Sequence, residues 1–359
     1  MRPRKAKRQS QTANPTVFWE RNLFVSHPDL APAPDDQLVL HRLGREDSSG
    51  GFAADVARGL SSDPKQLLPK YLYDELGSHL FEAICQLPEY YCTRAETEIL
   101  TRYAGDIAAA IDGPKTLIEM GSGSASKSRL IIEALLKTQS RLVFIPVDIS
   151  ASALETSARS LLQTYPALRV VAYAGDYYDG IAALATLRAE RALALFLGSN
   201  IGNFDAEEAN KFLRAMRGVL RAGDALLLGA DLKKDPQILE AAYNDSLGVT
   251  SAFVRNQLVR INRELDGDFD VRRFKLVSVY NATEGRIEVY LESSGAQVVP
   301  IRKLDMQVTL QAGERIHMEH SHKYDLDQLS QMAAATGFKR ARTWTDSRGY
   351  FSSNLFLAV

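Results

Sequence analysis

The stretch Leu117-Ile118-Glu119-Met120-Gly121-Ser122-Gly123-Ser124-Ala125-Ser126-Lys127 decides the fold. An apolar run enters two closely spaced glycines and gives way to a helical pattern, the strand–turn–helix opening of an α/β nucleotide-binding sheet. Gly121 permits the sharp bend, and Gly123 lets a ligand approach backbone that a Cβ would block. A dinucleotide fingerprint needs a third glycine at position 126, where this chain has Ser126. Glu119 stands two residues before the first glycine, an awkward place for a carboxylate if a pyrophosphate must sit close by. Both departures favour a ligand with a sugar, a base and a cationic centre but no phosphate.

Outward from that turn, apolar strands alternate with helical patterns, the signature of a doubly wound parallel sheet. The strands are expected at Thr116–Met120, Leu142–Val147, Val170–Ala174, Ala192–Leu197 and Ala225–Leu228, with helices such as Ser126–Leu136 and Ala151–Thr164 between them. The rhythm then breaks. One long helix is expected over Gln237–Glu264, followed by alternating strands at Phe274–Tyr280, Arg286–Glu292, Met306–Leu310 and Arg315–Lys323, the pattern of an antiparallel sheet with one covered face. The parallel-sheet pattern resumes with a helix at Leu326–Thr336 and strands at Lys339–Trp344 and Asn354–Val359. This divides the chain into a tail (1–51), a nucleotide-binding α/β domain (52–232 and 324–359) and an inserted α+β domain (233–323).

Composition sets the outer limits. With 45% hydrophobic residues in 359 there is ample material for a sizeable core. A formal net charge of −1 gives no long-range pull toward nucleic acid or an anionic membrane. The basic cluster Arg2, Arg4, Lys5, Lys7 and Arg8 reads as a solvated tail, with an apolar patch at Val17, Phe18, Trp19, Leu23, Phe24 and Val25 that offers a docking point. No run approaches the ~20 apolar residues of a membrane span, and the N-terminus lacks a signal-peptide core. Cys85 and Cys92 are too few for a disulfide framework, so a reducing cytoplasm is expected.

In such a sheet a ribose-binding acid is expected at the end of the next strand, about 20 residues on. Asp148 stands there; its other reading is a cap for the helix that begins near Ser150. The third strand ends in Gly175-Asp176-Tyr177, an acid for an adenine amino group and a ring to lie along the base. Ligands of open α/β sheets lie beyond the carboxyl ends of the strands, so these positions converge on one crevice. S-adenosylmethionine fits it, and Lys127, in the first turn of the helix, is either in reach of the methionyl carboxylate or a solvated surface residue. The fourth strand ends in Phe196-Leu197-Gly198-Ser199-Asn200-Ile201-Gly202-Asn203, which leaves carbonyls and amides at the crevice rim to hold a carboxylate or an amine without titrating.

With these residues assembled, the chain resembles the histidine N-alpha-methyltransferase family of ergothioneine biosynthesis, over roughly residues 55 to 359. The resemblance is carried by Tyr71-Leu72-Tyr73-Asp74-Glu75-Leu76-Gly77-Ser78, Leu87-Pro88-Glu89-Tyr90-Tyr91-Cys92-Thr93-Arg94, the glycine turn, Phe196 to Asn203, the segment Tyr243 to Asn256, and Glu319-His320-Ser321-His322-Lys323-Tyr324. It implies a Rossmann-like class I methyltransferase sheet with an inserted substrate-binding domain, and trimethylation of the α-amino group of L-histidine by S-adenosylmethionine. It places the cofactor at Gly121, Lys127, Asp148, Asp176 and Tyr177, with Gly123 added from the turn itself. It assigns the substrate carboxylate to Asn203 and Tyr243, the amine to Tyr73 and the Gly198 carbonyl, and the imidazole to Tyr90, Glu319 and Ser321. Tyr73, hydrogen-bonded to the reacting nitrogen, is the catalytic candidate. On a strand, Glu319, Ser321 and Lys323 share a face while His320 and His322 take the other, so the histidines of this segment, His317 included, do not read as a metal site. The expected enzyme is a monomer acting on a small molecule, without metal, nucleic acid or membrane.

One position departs from the family. Val289 stands where Met is common, which enlarges the ring pocket and admits another aromatic amino acid or a histidine derivative as substrate; relatives of the same architecture methylate a prenylated tryptophan. Glu319 weighs the other way, because an indole offers it only one N–H. A catalytically silent adenosyl-binding protein is the alternative of another class, and buried Glu, Asn and Tyr without a ligand argue against it.

Overall fold

The computed structural model describes residues 37–43, 48–185 and 190–359. In chain order the elements are β1 (Leu38–Arg42), α1 (Ser48–Ser61), α2 (Glu75–Ile84), α3 (Tyr91–Ala109), β2 (Lys115–Met120), α4 (Ser128–Leu136), β3 (Leu142–Asp148), α5 (Ala151–Thr164), β4 (Leu168–Ala174), α6 (Tyr177–Leu184), β5 (Arg191–Phe196), α7 (Ala206–Val219) and β6 (Ala225–Asp231). They continue with α8 (Pro236–Ala242), α9 (Val249–Leu265), β7 (Phe274–Asn281), β8 (Arg286–Ser293), β9 (Gln297–Ile301), β10 (Met306–Leu310), β11 (Arg315–His322), α10 (Leu326–Ala335), β12 (Phe338–Thr345) and β13 (Phe351–Ala358).

Among the described residues eight strands form one sheet in the order β1-β4-β3-β2-β5-β6-β13-β12. Pairs from β1 to β6 are parallel, whereas β13 and β12 are antiparallel. Every residue of β2 is buried, as a strand covered on both faces requires. Successive residues feed opposite faces: Leu117, Leu193 and Leu195 pack with Ile99 and Ile131, while Ile118, Ala194 and Phe196 pack with Phe212 and Leu213. Chain order reverses between β2 and β5, which opens a crevice beyond their carboxyl ends. This is the Rossmann-like architecture expected from the glycine turn.

A second sheet, β11-β8-β7, is antiparallel, and β9 pairs with β10. In β8 burial alternates, with Ile287, Val289 and Leu291 inward. The chain returns from β11 to the large sheet through Tyr324, whose N–H donates to the Asp231 carbonyl and whose carbonyl accepts from Lys233 N–H. Gly202 permits the close approach of β11 to the rim: a Cβ there would lie 2.8 Å from the His322 carbonyl oxygen.

Two expectations change. The helix over Gln237–Glu264 is two helices, because Asp245-Ser246-Leu247-Gly248 is a turn; Gly248 has φ +77°, and the Asp245 carboxylate accepts from Val249 and Thr250 N–H to start α9. The break sets Tyr243 at the end of α8. Leu38–Arg42, inside the segment read as a tail, is an edge strand on β4, a short apolar alternation hidden by its Pro- and Asp-rich surroundings. The apolar patch at 17–25 and the basic cluster at 2–8 lie outside the described residues.

Candidate active site

The ends of β2, β3 and β4 are tied together by backbone. Gly121 N–H donates to the Val147 carbonyl, and Gly175 N–H to that of Asp148. Gly121 (φ +74°) and Gly123 (φ +50°) occupy the left-handed region that favours glycine. A Cβ on Gly121 would fall 2.9 Å from Asn200 Nδ2 and 3.0 Å from the Tyr177 hydroxyl, whereas one on Gly123 would meet nothing within 4 Å. The first glycine therefore makes room for neighbours, and the second faces open space.

Asp148 accepts from Gly123 N–H and Ser150 N–H, both at 2.9 Å. It does not cap α5, a task taken by the Ser150 hydroxyl, which accepts from Ala153 N–H. Burial raises the Asp148 pKa despite those N–H donors. Asp176 caps α6 through one oxygen, which accepts from Tyr178 and Asp179 N–H. Tyr177 stands half-buried among Phe196, Phe204 and Phe212. Glu119, the carboxylate awkward for a phosphate, turns down into the core and braces the turn by accepting from Ser122 and Ser128 hydroxyls; burial pushes it up to about 7. The cradle offers carboxylates and open backbone, a set suited to hydroxyls and an amino group, and S-adenosylmethionine fits it.

Lys127, immediately before α4, is paired with the fully buried Glu96 of α3 at 2.5 Å. Glu96 also accepts from Gly198 N–H at 2.8 Å, so one carboxylate fixes both a cradle lysine and the loop after β5. Sequence reading passed over Glu96, which sits six residues beyond Tyr90 with nothing in its neighbourhood to mark it as more than a helix-surface acid.

Beside the cradle a pocket is lined by Tyr73, Tyr90, Gly198, Asn203, Tyr243, Val289, Glu319 and Ser321, the full set of substrate-site candidates, together with Asn200, Phe81 and Phe253. Asn200 touches both places, since its amide lies against Gly121 and its side chain lines the pocket. The rings form a chain: Tyr73 meets Phe81 and Phe253 at 5.5 Å between centroids, Phe81 meets Tyr90 at 6.0 Å, and Tyr90 meets Tyr243 at 6.3 Å. Phe81 and Phe253 carry no polar handle and so give no sequence signal apart from core packing.

Val289 and Glu319 are direct partners across β8 and β11. Burial lifts Glu319 to about 7, against the pull of the Lys323 ammonium. Burial also carries the hydroxyls of Tyr73 and Tyr90 well above the usual phenol range, so both stay protonated. A bulge between His317 and Glu319 brings His317 beside His320 (5.8 Å between rings), and His320 lies 5.1 Å from His322. Among the described residues no group of three or more His, Cys, Asp or Glu is arranged to hold a metal ion, and no helix is long and apolar enough to cross a membrane.

A reversed-order parallel sheet with a glycine turn, acids ending the next two strands and an aromatic pocket alongside suits an S-adenosylmethionine-dependent methyltransferase, and the family match shows that class. Residues 52–358 match the family described as histidine-specific methyltransferase, SAM-dependent, and the chain belongs to that family. It is 42% identical over 317 residues to the histidine N-alpha-methyltransferase of Mycobacterium tuberculosis, covering 88% of this chain and 98% of that one. It is 40% identical over 314 residues to the protein of the same name from Mycolicibacterium smegmatis, covering 87% and 97%. With ergothioneine biosynthesis protein 1 of Neurospora crassa it shares 32% identity over 296 residues, which are 80% of this chain and 32% of that longer one.

Proposed function

We propose that this protein transfers methyl groups from S-adenosylmethionine to the α-amino group of L-histidine, three times in succession, to give the trimethylated betaine (hercynine) that begins ergothioneine biosynthesis. The observation that carries the reading is the meeting of Tyr73, Tyr90, Gly198, Asn203, Tyr243, Glu319 and Ser321 in one pocket that adjoins the glycine turn through Asn200. The similarity to two histidine N-alpha-methyltransferases along nearly their whole length supports it.

In this reading Asp148 accepts the ribose hydroxyls, Asp176 and Tyr177 take the adenine, and Lys127 takes the methionyl carboxylate, with Gly121 making the bend against Asn200 and Tyr177 and Gly123 leaving the backbone open to the ligand. When bound, the cofactor supplies an electrophilic methyl on a cationic sulfur. The chain's part is placement and the exclusion of water around that cation. Asn203 and Tyr243 hold the substrate carboxylate, Glu319, Ser321 and Tyr90 the ring, and Tyr73 with the Gly198 carbonyl the amine. An α-amino group titrates near ~8 or above and must be neutral to attack. Tyr73, held protonated by burial, orients the nitrogen without serving as its base, and each proton lost as an N–CH3 bond forms passes to solvent. The rings of Tyr73, Phe81, Phe253 and Tyr90 suit a head group that ends as a permanent cation.

The segment 233–323, which supplies Tyr243, Val289, Glu319 and Ser321, is the substrate-binding insertion in a domain made of 52–232 and 324–359, to which the edge strand β1 also belongs. The free thiols Cys85 and Cys92 suit a reducing cytoplasm. Incubation with methyl-labelled cofactor and a panel of free amino acids tests the reading. Label should enter histidine up to three times; label entering tryptophan or a prenylated indole but not histidine would replace the substrate, and no transfer at all would leave a silent adenosyl-binding protein.

A further inference from the structure

Lys323 follows β11 with its side chain wholly out of solvent. Its ammonium is 2.8 Å from the Asp231 carboxylate, 2.8 Å from Ser321 Oγ and 3.0 Å from the Tyr243 hydroxyl. These contacts employ all three N–H donors of a lysine. Burial opposes its charge, but Asp231, with Tyr243 and Cys92, holds the ammonium above the ordinary lysine range. Asp231 is in turn held by Tyr91 and Lys234, so the cation stands on a buried network that reaches the start of α3.

Ser321 and Tyr243 both line the pocket, and their oxygens are 2.8 Å apart with Tyr243 donating. Each oxygen already accepts an N–H from a permanent cation. Ser321 Oγ accepts from Tyr243 as well as from Lys323, which fills its acceptor sites and uses the one Tyr243 proton, so the Ser321 proton is the group left to offer.

We infer that Lys323 is a positioning and specificity-determining residue that, together with Tyr243, fills the acceptor sites of Ser321 and commits Ser321 to act as a donor toward the substrate, so the pocket requires a hydrogen-bond acceptor on the ring. The inference rests on the reading of this cavity as the amino-acid pocket. Glu319 stands two residues from Ser321 on the same face of the chain and takes the opposite role, that of acceptor for a ring N–H. Neutral imidazole has one nitrogen of each kind. Indole has an N–H and no ring acceptor, and leaves Ser321 unsatisfied. Val289 widens the pocket without relaxing this demand.

The test compares Lys323→Met, which keeps the length and removes the donors, with wild type; Asp231 retains Tyr91 and Lys234. Calorimetry in the presence of S-adenosylhomocysteine gives affinities for L-histidine and for 3-(2-thienyl)-L-alanine, a five-membered aromatic analogue with no ring nitrogen. The expected result is a fall of about tenfold or more in the histidine-to-thienylalanine affinity ratio, the scale of a hydrogen bond to a polar ring, with S-adenosylhomocysteine affinity unchanged. A ratio within about threefold of wild type overturns the inference, including the case in which both affinities fall together, since a merely structural lysine would act on both. Should Lys323→Met not fold, Lys323→Gln, neutral but still able to bond Asp231, carries the same criterion. Wild-type protein that does not prefer histidine to thienylalanine would instead sink the histidine reading itself.

Discussion

The cradle and the pocket sit side by side but are built from different material. The cradle relies on backbone: Gly121 and Gly123 at positive φ, Gly123 and Ser150 N–H groups on Asp148, Tyr178 and Asp179 N–H groups on Asp176. Its parts follow three consecutive strands, so each lies a short distance along the chain from the next. The pocket relies on side chains brought from Tyr73, Tyr90, Asn203, Tyr243, Val289 and Glu319, segments that meet only because β11 packs on the rim at Gly202 and because α8 and α9 part at Tyr243. Local geometry can be replaced by water or a neighbouring N–H; a buried side-chain set cannot. Damage to the pocket should therefore cost more, and more selectively, than damage to the cradle.

The largest effect is expected at Glu319. A site built to hydrogen-bond a substrate N–H discriminates by up to ~10⁴-fold against analogues that lack it. Glu319→Ala should lower kcat/KM for histidine by about 10³-fold or more while leaving S-adenosylhomocysteine affinity as it is. A loss below tenfold in steady-state kinetics would remove Glu319 from ring recognition and erase the contrast between the two regions.

The same residue should show that the pocket is held at a cost in stability. Glu319 titrates near 7 in the fold against an ordinary 4.5. Its contribution is fully present below pH 4.5, where both states are protonated, and is lost as pH rises through 7, because the unfolded chain ionises first and the folded one must ionise in a dry site. Glu319→Gln keeps the shape without the charge. Above pH 7 it should be more stable than wild type by up to about 3 kcal/mol, with the difference closing toward pH 4.5. Thermal unfolding of ligand-free protein at pH 8 and pH 4.5 checks this, and equal displacement at both would mean Glu319 is not strained by burial.

On the cradle side, Asp148→Ala should weaken cofactor binding by roughly 1.5–3 kcal/mol, the range for hydrogen bonds to a charged group, with the fold intact. Unchanged affinity by calorimetry would leave Asp148 as a brace for Gly123 and Ser150 alone.

The same contrast explains what was legible in the sequence. The glycine turn, the strand ends at Asp148 and Asp176 and the alternation of β8 are periodic or local signals, and they lead to the sheet directly. Tyr73, Tyr90 and Tyr243 carry no such mark; alone each reads as a packing tyrosine, and only their long ordered motifs set them apart. Glu96 was missed as a site residue because its role comes from contacts with Lys127 and Gly198 that are remote in sequence, whereas Asn200 was legible as a rim amide but not its place against Gly121. The single helix over Gln237–Glu264 failed because helical periodicity survives a short turn, although Asp245 and Gly248 were there to be read as a start signal and a left-handed residue. β1 escaped because a five-residue edge strand buries too little to stand out from a polar stretch.

The smallest effect belongs to Val289, where the pocket most resembles a plain apolar wall. The side chain is 1% exposed and lies directly across from Glu319 in the β8–β11 register. Met in its place adds length beside the ring without adding a donor or acceptor, and a methylene or two in an apolar wall is worth only about 1–3 kcal/mol. A small imidazole leaves part of the widened space unfilled, whereas an indole fills it. Val289→Met should therefore change kcat/KM for histidine by less than about tenfold and lower any activity on tryptophan by more than that, since overpacking penalises the larger ring. Paired kinetics on the two amino acids, alongside Glu319→Ala, place the two residues on one scale. If Val289→Met alone created histidine activity in a protein that otherwise lacked it, shape rather than hydrogen bonding would govern the pocket, and Glu319 would lose its place as the residue that selects histidine.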